Sequence, residues 1–260
     1  PFLSPKDTYA DGGWDAVKQD AEEKADLLLS LGINVNLAPV CDMTSDEYGF
    51  MYDRSFSSDV DMENRYVRTV VETSKSKKLG TVLKHFPGYG NNSDTHTGIA
   101  YDDRDYSEFE NTDFKPFYQG IESGADCILV SHNIVNCMDS EYPASLSQKV
   151  HDILRNEFKF DGVIMTDDLI MDAITDFTGD EAAAVTAAKC GNDLLCCSSV
   201  NTQYPAVLEA VQNGEIPEAQ VDASVKRILK WKQNLGIFSI DTYQKKVKST
   251  EPTDTVGSEE

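Results

Sequence analysis

The chain has 260 residues, 40% of them hydrophobic, enough for one sizeable core and ordinary for a globular domain. Its 23 basic and 45 acidic residues leave a net charge of −22, which argues against a nucleic-acid partner, because phosphate contacts need a basic face. No apolar run approaches the length that spans a bilayer, and the six cysteines fit neither a zinc spacing nor a small disulfide scaffold, so they read as reduced core thiols. The chain opens at Pro1 without a methionine, which leaves both cytoplasmic and secreted or cell-envelope locations open, as it leaves the oligomeric state.

Residues 1–13 read as a loop. A helical pattern then runs from Trp14 to Leu31, with Val17, Ala21, Ala25 and Leu28 on one face, and Gly32 closes it. A strand over 33–40 ends in Cys41-Asp42-Met43, and the loop over 44–58 carries Arg54. The spacing predicts a second helix over 61–78, a strand from Gly80 to His85, and a third helix near 113–124. The strand Cys127–Val130 ends in Ser131-His132-Asn133. After a fourth helix near 147–158, the strand Gly162–Thr166 ends in Asp167-Asp168. A helix over 181–190, a short strand over 193–197 and helices over 203–213 and 218–235 complete a domain spanning 1–240. The remaining residues, 241–260, are polar, show no apolar period and read as a linker or disordered tail.

Strand and helix alternate five times, and the strands are continuous apolar runs, as in a parallel sheet covered by helices on both faces. Polar groups gather at one strand end after another: Asp42, Lys84 and His85, Ser131 and His132, Asp167 and Asp168. An open doubly wound sheet would gather them at one switch point, usually with a Gly-rich phosphate turn, and no such turn follows any strand. The expected fold is therefore α/β, a (β/α)8 TIM-type barrel. Only five strands are visible, so the first one or two βα units are expected to be missing from these residues.

The chemistry concentrates in Lys84-His85-Phe86-Pro87-Gly88-Tyr89-Gly90-Asn91-Asn92-Ser93-Asp94-Thr95-His96. A cation and an imidazole close the strand, and an aspartate stands two residues before a second histidine on the loop that follows. Pro87, Gly88 and Gly90 keep that loop out of regular structure. Asn91-Asn92-Ser93 also fits a glycosylation sequon, but its place in this loop speaks against that use.

The run Ile153-Leu154-Arg155-Asn156-Glu157-Phe158-Lys159-Phe160-Asp161-Gly162-Val163-Ile164-Met165-Thr166-Asp167-Asp168-Leu169 closely resembles the nucleophile signature of family 3 glycoside hydrolases. The Lys-His-Phe-Pro-Gly stretch with its downstream Asp-x-His resembles the bacterial β-N-acetylglucosaminidase branch of that family. Asn36-Leu37-Ala38-Pro39-Val40, the Arg54 segment, Ser131-His132 and Pro143-Ala144-Ser145-Leu146-Ser147 extend the similarity over roughly 14–238. The resemblance implies a retaining exo-enzyme acting on β-linked N-acetylglucosamine of muropeptides or chitooligosaccharides, with Asp167 as nucleophile. It further implies that His96, oriented by Asp94, is the acid/base, and that Lys84, His85 and Arg54 hold sugar hydroxyls, while Ser131 and His132 read as rim or core polar groups, with His132 a candidate to line the site.

Elementary chemistry fits those roles. A retaining glycosidase needs a carboxylate on one face of the sugar and an acid/base on the other. The resemblance implies that a carboxylate from a second domain often fills the acid/base role; with none visible after residue 240, a histidine, whose ordinary pKa lies near neutrality, is expected to serve in its place. Asp168 reads as a structural hydrogen-bonding partner of its neighbour, and Asp42 either lines the pocket or caps the next turn. No cluster has metal spacing, so neither metal nor cofactor is expected. Two departures stand out: the family's usual second histidine of Lys-His-Phe-Pro-Gly-His-Gly is Tyr89 here, and its early strand with a sugar-gripping aspartate is not among these residues. The alternatives are a family 3 β-glucosidase, a glycoside phosphorylase, or a carbohydrate-binding pseudoenzyme.

Overall fold

The computed structural model describes residues 2–92, 94–178 and 180–243. Its first helix, α1 (Pro5–Ser30), starts nine residues before the expected Trp14. Ser4 Oγ accepts the Asp7 N–H at 3.1 Å and Pro5 opens the first turn, a strong start signal that the pair Gly12-Gly13 obscures in the sequence. Those two glycines leave helical geometry and kink α1 where the loop was expected to end.

The order continues β1 (Val35–Asn36), α2 (Val60–Ser76), β2 (Gly80–Phe86), β3 (Tyr101–Asp102), α3 (Tyr106–Asn111), α4 (Phe114–Glu122), β4 (Cys127–Val130) and β5 (Ile134–Val135). Then come α5 (Gln148–Asp152), running on as a π-helical turn over Ile153–Glu157, β6 (Val163–Thr166), α6 (Asp172–Thr178), α7 (Asp180–Lys189), α8 (Val200–Gln212) and α9 (Glu218–Asn234). The short elements β3, α3, β5 and α6 carry no periodic signal long enough to predict. Residues 240–243 make a helical turn, and the rest of the expected tail, 244–260, lies outside the described residues.

The main sheet is parallel in the order β1-β2-β4-β6, with Val35 beside Gly80, Val82 beside Cys127 and Cys127 beside Val163. Each strand is laid outside the previous one without reversal, the order of barrel staves and not of a doubly wound sheet. Two expected strands are much shorter than predicted. The segment 33–40 is a regular strand only at Val35–Asn36, with a further bridge between Val40 and Lys84; the Ala38 and Pro39 carbonyls still accept from the Val82 and Lys84 N–H groups, but Pro39 has no N–H to give in return. The segment 193–197 is reduced to a bridge between Leu194 and Met165, since side chains take over ladder positions. Asp193 Oδ2 accepts the Ile164 N–H at 2.9 Å, and Thr166 Oγ1 accepts the Cys196 N–H at 3.0 Å. Among the described residues the arc of strands does not close on itself.

The strands contribute to two apolar clusters, and a third, around Leu146, Leu169, Ile174 and Ala183, lies among the later elements. Leu83, Phe86, Ile128, Val130 and Ile164 pack with Val67, Val71, Phe114, Phe117, Leu154 and Phe158 of the helices. Val82, Cys127, Leu129, Val163 and Met165 face the other way and are covered by Trp231 and Leu235 at the end of α9. A second parallel ladder, β3 with β5, ties the loop after β2 to the loop after β4. No helix among the described residues is long and apolar enough to cross a membrane. The six cysteines are free, Cys41, Cys127 and Cys190 being buried.

Candidate active site

Lys84 and His85 lie at the C-terminal end of β2 between Leu83 and Phe86, both fully buried, where the pairing of β2 with β4 shifts register. The buried Asp42, on the segment that follows β1, receives His85 twice: its Oδ2 accepts the His85 backbone N–H at 3.0 Å and the ring Nδ1–H at 2.7 Å. With Nδ1 donating to a carboxylate, His85 Nε2 accepts from the Arg54 guanidinium at 3.2 Å. Asp42 Oδ1 is also committed, to the Tyr89 N–H at 2.8 Å. Asp42, Arg54, His85 and Tyr89 thus form one bonded group around the end of β2. Burial and the adjacent Arg54 hold Lys84 below the ordinary lysine value, while Asp167 and Asp42 pull the other way.

Asp167 follows β6 directly. Its N–H donates to the Val130 carbonyl at 3.1 Å, which extends the β4–β6 ladder by one residue and fixes where the carboxylate begins. Its Oδ1 accepts the Asp168 N–H at 2.9 Å. Asp168 turns aside to accept from the Ser198 N–H at 3.1 Å and from the Ser198 hydroxyl. His132, fully buried after β4, donates from Nε2 to the Asp168 carbonyl at 3.0 Å and accepts at Nδ1 from the Ser145 hydroxyl at 2.7 Å. Both of its nitrogens are engaged within the protein, and burial keeps its pKa below the ordinary histidine value against the pull of Asp167.

The Asp94–His96 pair sits on a 3-10 turn, Thr95–Thr97, whose N-cap is Asp94. Asp94 Oδ1 accepts the His96 N–H at 3.0 Å and the ring Nδ1–H at 2.6 Å, which commits Nδ1 to the carboxylate. The His96 side chain is 60% exposed. Burial alone would raise the Asp94 carboxyl, but the His96 backbone and ring hydrogen bonds, with a further contribution from Arg54, outweigh it and leave Asp94 below its usual value.

The predicted residues therefore share one neighbourhood. Asp167 acts electrostatically on Lys84, Tyr89 and His132, Arg54 on Lys84 and Asp94, and Asp94 on Tyr89. Arg54 and Lys84 also border a cavity of about 490 Å³ lined by Leu28 of α1 and by Asn36 and Val40. Sequence reading left Asp42 undecided and missed the supports of the loop. Arg104 grips Asp102 through Nη2 at 2.8 Å, Asp113 through Nη1 at 2.9 Å and the Gly88 carbonyl at 3.2 Å. Thr44 Oγ1 reaches Asn91 Oδ1 at 2.7 Å. Lone Arg, Asp and Thr residues in unpatterned loops offer no signal that would have found them. Among the described residues no group of three or more His, Cys, Asp or Glu is arranged to hold a metal ion.

Asp167 and Lys84 thus stand at the C-terminal ends of parallel strands, Lys84 beside Arg54, with a carboxylate-backed imidazole on the loop that leaves β2. Residues 8–231 match the N-terminal domain of glycosyl hydrolase family 3, and the chain belongs to that family. It is 34% identical over 199 residues to a β-hexosaminidase of Hydrogenovibrio crunogenus, covering 75% of this chain and 55% of that one. A secreted glycosyl hydrolase of Arthroderma benhamiae is 32% identical over 225 residues, 82% of this chain and 64% of its own. Among solved structures, a family 3 β-N-acetylglucosaminidase from a Paenibacillus species superposes with a TM-score of 0.85 at 29% identity, over 91% of this chain and 46% of that one. The chain spans about half to two thirds of the length of these curated relatives.

Proposed function

We infer that the chain is the catalytic part of a retaining exo-β-N-acetylglucosaminidase. The observation that carries this reading is the carboxylate-backed imidazole, His96 Nδ1 at 2.6 Å from Asp94, on the loop that leaves the strand bearing Lys84 and His85. Family membership and the names of the relatives support the reaction class and the sugar.

In the first step an Asp167 oxygen attacks the anomeric carbon as the bond to the leaving oxygen breaks, and His96 Nε2–H supplies the proton to that oxygen. The product is a glycosyl ester on Asp167 with a neutral imidazole. In the second step His96 takes a proton from water, the water attacks the anomeric carbon, and Asp167 departs as a free carboxylate. Asp94, kept ionised by its hydrogen bonds, stabilises the imidazolium required at the start of each turnover. Lys84 and the Arg54–His85 pair hold the sugar hydroxyls, and His132 steadies the nucleophile's loop through the Asp168 carbonyl. The natural substrates are terminal β-GlcNAc units of muropeptides or chitooligosaccharides.

The test is turnover of p-nitrophenyl β-N-acetylglucosaminide beside the glucoside, with and without inorganic phosphate. Wild type is expected to release nitrophenol from the N-acetyl substrate independently of phosphate. Asp167→Ala should abolish release, and His96→Ala should lower it about 10²–10⁴-fold, the usual contribution of acid–base catalysis. Unchanged activity in Asp167→Ala would overturn the nucleophile assignment, and a requirement for phosphate would make the enzyme a phosphorylase.

A further inference from the structure

The proposed acid/base is the most exposed of the candidate groups, yet its ring must be held within about 0.5 Å of its productive position to protonate the leaving oxygen. Something buried has to seat it. Thr95, between Asp94 and His96, is fully buried, and its Oγ1 lies 2.6 Å from the hydroxyl of Tyr89, itself only 2% exposed. The dyad is thus held from below by its middle residue.

Tyr89 is anchored at its other end as well. Its N–H donates to Asp42 Oδ1 at 2.8 Å, while Oδ2 of the same carboxylate fixes the His85 ring at 2.7 Å. The phenol ring is clamped edge-on between Phe50, 5.1 Å away, and the His85 imidazole, 5.3 Å away. One rigid side chain therefore runs from the histidine assigned to the sugar to the turn that carries the acid/base. A phenol is longer than an imidazole and ends in a single hydroxyl, so the substitution of tyrosine in the Lys-His-Phe-Pro-Gly stretch allows a direct bond to the turn.

We propose that Tyr89 is a positioning residue whose hydroxyl latches Thr95 and so sets the Asp94–His96 pair in register with the sugar held at His85. This rests on the acid/base reading of His96. Removing the hydroxyl while keeping the ring leaves the Asp42 anchor and both aromatic contacts intact. The turn then loses its buried tether, and proton delivery suffers more than sugar binding.

The experiment compares wild type, Tyr89→Phe and His96→Ala in the full chain on phenyl and dinitrophenyl β-N-acetylglucosaminides. A dinitrophenolate leaves with little help from an acid, whereas a phenolate needs the proton. In Tyr89→Phe, kcat/KM should fall roughly tenfold to a hundredfold on the phenyl glycoside, and less than about threefold on the dinitrophenyl one, part of the effect of losing acid catalysis altogether. KM should change little. Equal losses on both glycosides, or no loss on either, would overturn the latch. A His96→Ala variant without leaving-group dependence would instead overturn the acid/base reading beneath it. Hydrogen exchange keeps the latch testable whatever the turnover. Amides over 94–98 should exchange faster in Tyr89→Phe while those of β2 stay protected, and unchanged exchange would refute the tether.

Discussion

Glu63 shows what a single buried carboxyl does beside this site. It lies in the first turn of α2, fully buried, with Oε2 accepting the Ser57 N–H at 2.9 Å and Oε1 without a hydrogen-bond partner among the described residues. Burial pushes its pKa well up; the Ser57 hydrogen bond and the Lys6 ammonium lower it and Asp42 raises it further, but burial wins. The sign for stability follows. A carboxyl raised in the folded state binds its proton more tightly there, so its contribution is present below the unfolded value of about 4.3 and is lost as pH climbs towards the folded value. Each pH unit in that window removes up to about 1.4 kcal/mol, or about 2–4 °C of melting temperature per kcal/mol in a chain of this size. Glu63→Gln removes the titration while keeping an acceptor for Ser57. Its melting temperature is expected to gain on wild type as pH rises above the unfolded carboxyl value of about 4.3, measured at constant ionic strength. A difference that stays flat with pH would show that Glu63 is not held protonated.

At the scale of the element, the loop leaving β2 depends on backbone that only glycine adopts comfortably. Gly88 sits at φ +123°, and a Cβ there would fall 2.3 Å from Asp113 Oδ1, in a carboxylate that Arg104 grips at 2.9 Å. Gly214 has φ +82° and open space around it, so alanine there meets conformational strain alone. Gly88→Ala should therefore cost about 1–3 kcal/mol, clearly more than Gly214→Ala. Thermal unfolding of the two variants checks this, and equal losses would mean that Asp113 yields freely. The same loop shows what the sequence could reveal. Lys84, His85, Asp94 and His96 were legible because they lie within one short stretch whose strand and breakers are local signals. Asp42, 43 residues from its partner His85, and Arg104, which reaches across to Gly88, were not, because their meaning exists only once the sheet brings them together. Elements followed the same rule. α2 and α9 were readable within a few residues from their apolar period, whereas β1 and the Leu194 bridge are governed by Pro39 and by the Asp193 and Thr166 side chains, which periodicity does not register.

For the whole molecule the governing quantity is the charge of −22, which strand order and core packing must overcome. The alternation of strand with helix made the parallel α/β class legible without reference to charge, and the unreversed order β1-β2-β4-β6 realises it. Charge acts on stability instead, through repulsion spread over the surface. Opposing ion pairs exist but divide by burial. Lys18–Glu22 and Lys189–Glu215 are exposed and contribute little. Arg155 with Asp193 at 2.7 Å, and Arg104 with Asp102 and Asp113, have fully or nearly buried carboxylates that salt reaches poorly. Added salt therefore screens the net repulsion more than it weakens the pairs that matter. Shortening the Debye length from about 30 Å at 0.01 M to about 8 Å at 0.15 M should stabilise the fold. The melting temperature is therefore expected to rise in sodium chloride, most of the rise being complete by physiological ionic strength. Sucrose at matched osmolarity should not reproduce the steep low-salt part of the curve. A melting temperature that falls with salt would mean that the surface ion pairs, and not the net charge, dominate the electrostatics of this fold.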